Sequence, residues 1–497
     1  MAFKRVDTSS GLVEGTEDGG VMVWRGIPFG ASTAGSSRFL PPVPPAPWDG
    51  VRKAHNFGPA APQLEPVPLF RSPEPMPVSE DCLTLNVWSP AADDARRPVM
   101  VWIHGGAFEF GSGSTAAYDG AALARHGNIV VVTVNYRLGP FGFLYLGHLD
   151  PSLANSGIVG LLDQVAALRW VQDNIAVFGG DPHQVTVAGE SAGALSVEAL
   201  LVMPAARGLF QRAIVQSGLV STRSAAQAAA QADRFIAELG VGASVEALRR
   251  APLESLIAAA EQLRGQLTWR PVAEQVYGAA SLYTAIEQGA AGGVALLIGT
   301  NRDEARLWTS APAWSGASDD ERIQATERLW GPMPSPLRDV YVGSRTGAAL
   351  FESLVQYATD NRFWFPAQRL GALQAAHAPV YMYRFDWTST AYGGALGACH
   401  ALEIPFVFRN LEHPWADAFV GKTRGREALA DQMHAAWINF VRTGSPNAPS
   451  LPPWPAYDLV HRPTMVFSNK SAVQEDLRGD IRRLWDAVEA AQPPGSR

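Results

Sequence analysis

The sequence has 497 residues, 47% hydrophobic and 18% charged, which is enough apolar material for a large core and excludes an intrinsically disordered chain. Its 47 acidic residues against 40 Lys and Arg leave a net charge of −7, and without a basic run this excludes nucleic acid as a partner. No apolar run reaches the roughly 18 residues of a membrane span, Met1-Ala-Phe-Lys-Arg-Val-Asp7 lacks the apolar stretch of a secretory signal, and Cys82 and Cys399 read as buried free thiols, so a cytoplasmic protein that engages no membrane is expected.

The first 80 residues are rich in Gly, Pro and turn signals, as at 41–45 and 66–77, and predict short strands joined by surface loops. Apolar, β-branched segments bounded by turn residues then predict buried strands at 99–103, 129–134, 185–188, 213–215, 294–298, 380–383 and 464–467. Between them, residues 160–175 carry apolar side chains at 161, 162, 165, 168 and 171, a helical spacing. Strand and helix in alternation predict an α/β architecture: a central, mostly parallel twisted sheet with helices on both faces. The Ala-rich stretch 221–291 and the mixed stretch 311–374 interrupt that alternation. They are expected to be helical insertions forming the lid and walls of a pocket, within one domain spanning 1–497.

Two motifs carry chemistry. Strand 99–103 runs into His104-Gly105-Gly106-Ala107-Phe108, and strand 185–188 runs into Gly189-Glu190-Ser191-Ala192-Gly193, followed by a helix-forming stretch. A Gly-x-Ser-x-Gly turn between strand and helix is a nucleophile elbow of the α/β-hydrolase fold, with Ser191 as nucleophile. The earlier Gly-rich turn lies where that fold places the rest of an oxyanion hole, to be built from the N–H groups of Gly106, Ala107 and Ala192. His104 reads as a structural hydrogen-bonding residue.

A serine nucleophile needs a base and an orienting carboxylate. His400, in Gly397-Ala-Cys-His400-Ala-Leu-Glu-Ile-Pro405, follows the strand at 380–383, and Glu304, in Gly299-Thr-Asn-Arg-Asp-Glu304, follows the strand at 294–298. The order Ser, acid, His is that of α/β-hydrolases, with Asp303 a rival acid by position alone.

The chain resembles the type-B carboxylesterase family, which includes cholinesterases and para-nitrobenzyl esterases, and its Ala, Pro and Gly content suits a bacterial member. The resemblance covers nearly the whole length. It rests on Trp24-Arg-Gly-Ile-Pro-Phe29, Arg38-Phe39, Glu80-Asp-Cys-Leu-Thr-Leu-Asn-Val87, Asn135-Tyr-Arg-Leu-Gly-Pro-Phe-Gly-Phe143, Asn174-Ile-Ala-Val-Phe-Gly-Gly-Asp-Pro182, Gln216-Ser-Gly218 and the motifs above. It implies Glu304 as the acid, His400 as the base, and Glu190 and Ser217 as supporting groups beneath the triad. It also implies two buried ion pairs, Arg38 with Glu80 and Arg137 with Asp181. A family disulfide from Cys82 is not expected, because Ala61 stands where its partner would be, and Ala107, Ala305 and Ala401 replace common glycines.

Phe108, Trp269, Trp308, Phe363, Trp364 and Phe365, with aliphatic Leu307, form a mostly aromatic set suited to an apolar pocket. The expectation is a serine carboxylesterase that cleaves short- to medium-chain or aromatic esters through an acyl-enzyme. It needs no metal or organic cofactor, and its partner is a small-molecule ester. Amide or carbamate hydrolysis by the same triad is the alternative within enzymes. A non-catalytic recognition module is the alternative outside them.

Overall fold

Val130-Val-Val-Thr-Val134 has no polar side to turn toward water, and in the computed structural model it forms a strand buried along its whole length. The structure describes residues 3–71, 76–218, 221–242, 244–278, 280–309 and 316–491. Its chain divides into two units: Met1–Val215, Ser221–Val294 and Val441–Thr443 in the first, and Gln216–Val220, Ala295–Phe440 and Gly444–Arg497 in the second.

The first unit is built on β1 (Phe3–Thr8), β2 (Gly11–Asp18), β3 (Val21–Pro28), β4 (Val51–Lys53), β5 (Thr84–Ser89), β6 (Arg97–Ile103), β7 (Val130–Val134), β8 (Gly180–Glu190) and β9 (Arg212–Gln216). Their order is β1-β2-β3-β5-β7-β6-β8-β9, with β4 beside β2. The turn-rich beginning gives antiparallel pairs, β1 with β2 and β2 with β3. From β7 the sheet becomes parallel: β6 lies between β7 and β8 and runs with both. The helix expected at 160–175 is Val159–Asn174. Within 221–291 the chain forms the helices Ala225–Leu239, Val245–Arg250, Leu253–Gln262, Ala273–Tyr277 and Leu282–Glu287.

The second unit holds β10 (Ala295–Asn301), β11 (Val380–Phe385), β12 (Thr464–Phe467) and β13 (Ala472–Gln474). The first three are parallel neighbours, and β13 closes the row antiparallel to β12. Every strand expected from 99 onward is therefore present. Of the insertion expected at 311–374, residues 311–315 lie outside the described residues, and the rest forms helices Asp319–Trp330, Ser335–Tyr341, Gly347–Thr359 and Phe365–Gln374. A π turn, Asp360–Trp364, joins the last two. It is held from behind, since both Asp360 carboxylate oxygens accept from Arg478 at 2.6 Å.

One of the two expected ion pairs forms as expected and the other does not. Arg38 meets Glu80 through two hydrogen bonds of 2.7 and 2.6 Å. Arg137 does not meet Asp181; its partner is Asp163, which accepts from Arg137 Nε at 2.8 Å, from its terminal nitrogen at 2.6 Å and from its backbone N–H at 3.0 Å. The reason is solvation. Arg137 is sealed from water and needs a carboxylate buried with it, and the inward face of helix Val159–Asn174 supplies one. The oxygens of Asp181 are taken up by the turn that starts β8, accepting from His183 N–H and Gln184 Nε2 at 3.0 Å, with exposed Arg96 at 3.4 Å.

Candidate active site

The first unit carries Ser191, the expected nucleophile. β8 ends at Glu190 and helix Ala192–Val202 starts at Ala192, so Ser191 alone makes the turn, at φ 56° and ψ −119°. Side chains rarely adopt that conformation, and holding it costs about 1–3 kcal/mol. It leaves Ser191 half-exposed at the N-terminus of a helix whose every residue is buried. Glycine at 193 makes the turn possible, because a Cβ there would strike the carbonyl oxygen of Ile103 at the end of β6.

The loop after β6 packs against the same turn. A Cβ on Gly105 would lie 2.7 Å from Glu190 Oε2 and 3.1 Å from the Ser191 Cβ. The loop then bends through Gly106, Ala107 and Phe108 at φ 105°, 57° and 62°. Backbone hydrogen bonds fix it: the N–H groups of Glu109 and Phe110 donate to Gly106 O at 2.8 and 3.1 Å, and Gly139 N–H donates to Phe108 O at 2.6 Å. The Tyr136 hydroxyl donates to His104 O at 2.8 Å. His104 itself is buried, and its Nδ1–H donates to Gly105 O at 2.8 Å. Burial pushes its pKa down to about 4, so the ring stays neutral and serves the loop.

Glu304 and His400, the expected acid and base, lie in the second unit. Glu304 comes three residues after β10 and His400 fifteen after β11; both are buried. His400 Nδ1–H donates to Glu304 Oε2 at 2.7 Å, and the backbone N–H of Asn301 donates to Glu304 Oε1 at 2.7 Å. Asp303, the rival, faces elsewhere: it accepts from Arg302 at 2.8 Å and from Ala398 N–H at 2.9 Å. Ser217 is buried at φ 53°, its N–H donating to Gly299 O at 2.9 Å. Ala401 sits at φ 65°, which explains why the resemblance expects glycine there, as at Ala107.

The aromatic set divides. Trp308 and Phe363 each lie 5.0 Å from the His400 ring, and they stack on one another at 6.1 Å. Trp308 is 41% exposed, a large apolar surface left open beside the imidazole. Half-buried Leu307 precedes it, while Trp364 and Phe365 pack into an apolar cluster around Trp485. In the first unit Phe108 packs on Phe143 at 4.5 Å and Trp269 meets Phe235 edge-on at 5.6 Å, both almost wholly buried.

Sequence reasoning missed Asn301, Glu403 and Gln216. Asn301 Nδ2 donates to Cys399 O and to Glu403 Oε2, each at 2.7 Å, and Gln216 Nε2 donates to Glu403 Oε1 at 3.0 Å. All three are fully buried, but in the sequence each is an ordinary polar residue inside a motif, and only burial sets it apart.

A strained serine between strand and helix, and a buried carboxylate that fixes an imidazole past the ends of parallel strands, are the equipment of a serine hydrolase with the α/β-hydrolase fold. Known proteins narrow that class. The model of the Carboxylesterase family matches residues 2–485, and the chain belongs to that family. It is 40% identical to the para-nitrobenzyl esterase of Bacillus subtilis (strain 168), covering 97% of this chain and 98% of that one. It is 35% identical to the phenmedipham hydrolase of Pseudarthrobacter oxydans, over 95% and 96%. Among solved structures, a Geobacillus stearothermophilus carboxylesterase superposes with a TM-score of 0.89 at 44% identity, over 97% and 99% of the two chains. A para-nitrobenzyl (PNB) esterase structure gives 0.88 at 39% identity, over the same shares. The protein is a carboxylic ester hydrolase. No helix among the described residues is long and apolar enough to cross a membrane.

Proposed function

We propose that Ser191, His400 and Glu304 act as one triad that hydrolyses short- to medium-chain or aromatic carboxylic esters through an acyl-enzyme. The observation that carries this reading is the 2.7 Å hydrogen bond from His400 Nδ1–H to Glu304. With the proton on Nδ1, Nε2 is the basic nitrogen, as a general base for serine requires. His400 takes the Ser191 proton as the hydroxyl oxygen attacks the ester carbonyl, and Glu304 stabilises the imidazolium formed. The oxyanion is held by the N–H groups of Gly106, Ala107 and Ala192, each worth about 2.7–4 kcal/mol in the transition state. Ala192 suits the role because the first N–H of a helix has no intrahelical acceptor. His400 then protonates the leaving alcohol, and water repeats the cycle on the acyl-enzyme. Glu190 and Ser217 support the triad without reacting, and no metal or organic cofactor takes part.

Trp308, Phe363 and Leu307 receive the apolar part of the substrate, while Phe108 and Trp269, almost wholly buried, line it from the first unit. An aromatic ester agrees with the name of the Bacillus relative, a para-nitrobenzyl esterase. The whole chain, 1–497, works as one α/β-hydrolase domain, with the helices of 221–291 and 311–374 as lid and walls. A cytoplasmic location is supported by Cys82 and Cys399, both buried free thiols.

The test is hydrolysis of p-nitrophenyl acyl esters from acetate to palmitate, with Ser191→Ala beside the parent. Turnover of short and medium chains, reduced by about 10⁴-fold or more in the variant, is expected. Full activity in Ser191→Ala would overturn the triad.

A further inference from the structure

We propose that Glu403 is a second buried carboxylate of the acid–base pair, a positioning residue whose negative charge behind Glu304 sets the basicity of His400. This rests on the triad reading above and deepens it.

Two amides beside Glu403 are locked in direction. Glu403 is fully buried, and its two oxygens face Gln216 Nε2 at 3.0 Å and Asn301 Nδ2 at 2.7 Å. Neither amide is free to turn over. Gln216 Oε1 accepts from the indole N–H of Trp437 at 2.8 Å, and an indole can only donate. Asn301 Nδ2 also donates to Cys399 O at 2.7 Å, and a carbonyl can only accept. Both amides therefore present N–H groups to Glu403, one to each oxygen, and donors to both oxygens favour the ionised form. The cradle is built for a carboxylate. Burial and the nearby charge of Glu304 push the Glu403 carboxyl above its ordinary range, and the two locked donors work against that push.

The surrounding groups leave the charge to act on the base. Asn301 ties Glu403 to Glu304 through its side chain and backbone N–H, and to the residue before His400 through Cys399 O. Asp303 is neutralised by Arg302 at 2.8 Å. Burial, with Glu304, Glu403 and Asp303 around it, drives the Cys399 thiol well above its usual range, so it stays neutral. A second anion near Glu304 stabilises the imidazolium of His400, raising its basicity and lowering the barrier to proton transfer.

The experiment measures kcat, KM and the acid limb of the kcat/KM–pH profile on a p-nitrophenyl ester for the parent, Glu403→Gln, Glu403→Asp and Trp437→Phe, with Ser191→Ala as the control. Glu403→Gln removes the charge and keeps the shape. Its acid limb is expected to move down by about one pH unit and its kcat to fall about tenfold, with KM little changed. Glu403→Asp keeps the charge and should hold the parent's acid limb. Trp437→Phe frees Gln216 to turn over and favours protonation of Glu403, so its acid limb should move the same way by less. Should Glu403→Gln fail to fold, the Trp437→Phe and Glu403→Asp profiles decide. An unmoved acid limb in Glu403→Gln, or in Trp437→Phe where that variant decides, overturns the proposal even if kcat falls. Loss of activity in Ser191→Ala alongside that result leaves the triad standing, whereas an active Ser191→Ala brings down the triad itself.

Discussion

The surroundings of Ser191 and the surroundings of His400 in this esterase are held by different forces. Around Ser191 the backbone does the work: Ser191, Ala107 and Phe108 sit at positive φ, glycines at 105 and 193 admit contacts that no Cβ could survive, and main-chain hydrogen bonds pin the loop after β6. Around His400 the side chains do it. Glu304, Glu403, Asn301, Gln216 and Trp437 form a buried chain of hydrogen bonds in which the partners fix one another's orientation. A backbone-held region fails when its shape is forbidden. A network-held region fails when one polar member is removed and its neighbours are left unsatisfied.

The largest effect should come from the network. Glu304→Gln keeps the shape of the acid but lets its amide favour the wrong imidazole tautomer, and kcat is expected to fall about 10⁴-fold. Asp303→Asn, in a residue bound to Arg302 and Ala398 instead, should change kcat by far less. Steady-state assays of the two variants separate them, and similar losses in both would break the assignment.

The scaffold behind Ser191 rests on a buried ion pair. Arg137 and Asp163 brace the segment that carries Tyr136 and Gly139, which in turn hold the loop after β6. Asp163→Asn should cost about 3–5 kcal/mol of stability, because it leaves a buried guanidinium without its carboxylate. Asp181→Asn opposes an exposed arginine and should cost about 1 kcal/mol or less. Denaturant midpoints of the two variants test the pairing, and equal losses would contradict it.

The same contrast explains what could be read from the sequence. Seven strands were legible because buried parallel strands are apolar on both faces, and the elbow was legible because a backbone-held turn admits so few residue types that its glycines announce it. The pairing of Glu304 with His400 was legible by chain order and resemblance. The partner of Arg137 was not: Asp181 was expected, and the inward face of helix Val159–Asn174 supplies Asp163 instead. The ring around Glu403 was hidden for a similar reason. Gln216, Asn301, Glu403 and Trp437 are far apart in sequence, and each is unremarkable alone. Spacing reports which face a residue occupies, while hydrogen-bond partners across elements are set only by tertiary packing.

Glu198 sharpens the comparison from the nucleophile side. It lies on helix Ala192–Val202, seven residues past Ser191 and almost wholly buried, and its Oε2 meets no hydrogen-bond partner among the described residues. Burial raises its pKa from an ordinary 4.5 to about 8, so near pH 7 the folded protein holds it protonated. In the unfolded chain the same carboxyl ionises near 4.5. Its contribution to stability is therefore fullest below that value and is lost as pH rises toward about 8. Glu198→Gln carries no titrating proton and escapes this loss. Denaturation at pH 5, 6 and 7 should show the stability difference moving in the variant's favour by about 2 kcal/mol across that span. A constant difference would mean that Glu198 is ionised in the native state and that a charged partner holds it. If the difference moves as expected while kcat stays at the parent's value, the elbow owes its shape to backbone geometry, and a nearby buried carboxyl can be exchanged without disturbing it. The Glu403 carboxyl should not tolerate the same exchange, since there the side chains themselves define the site.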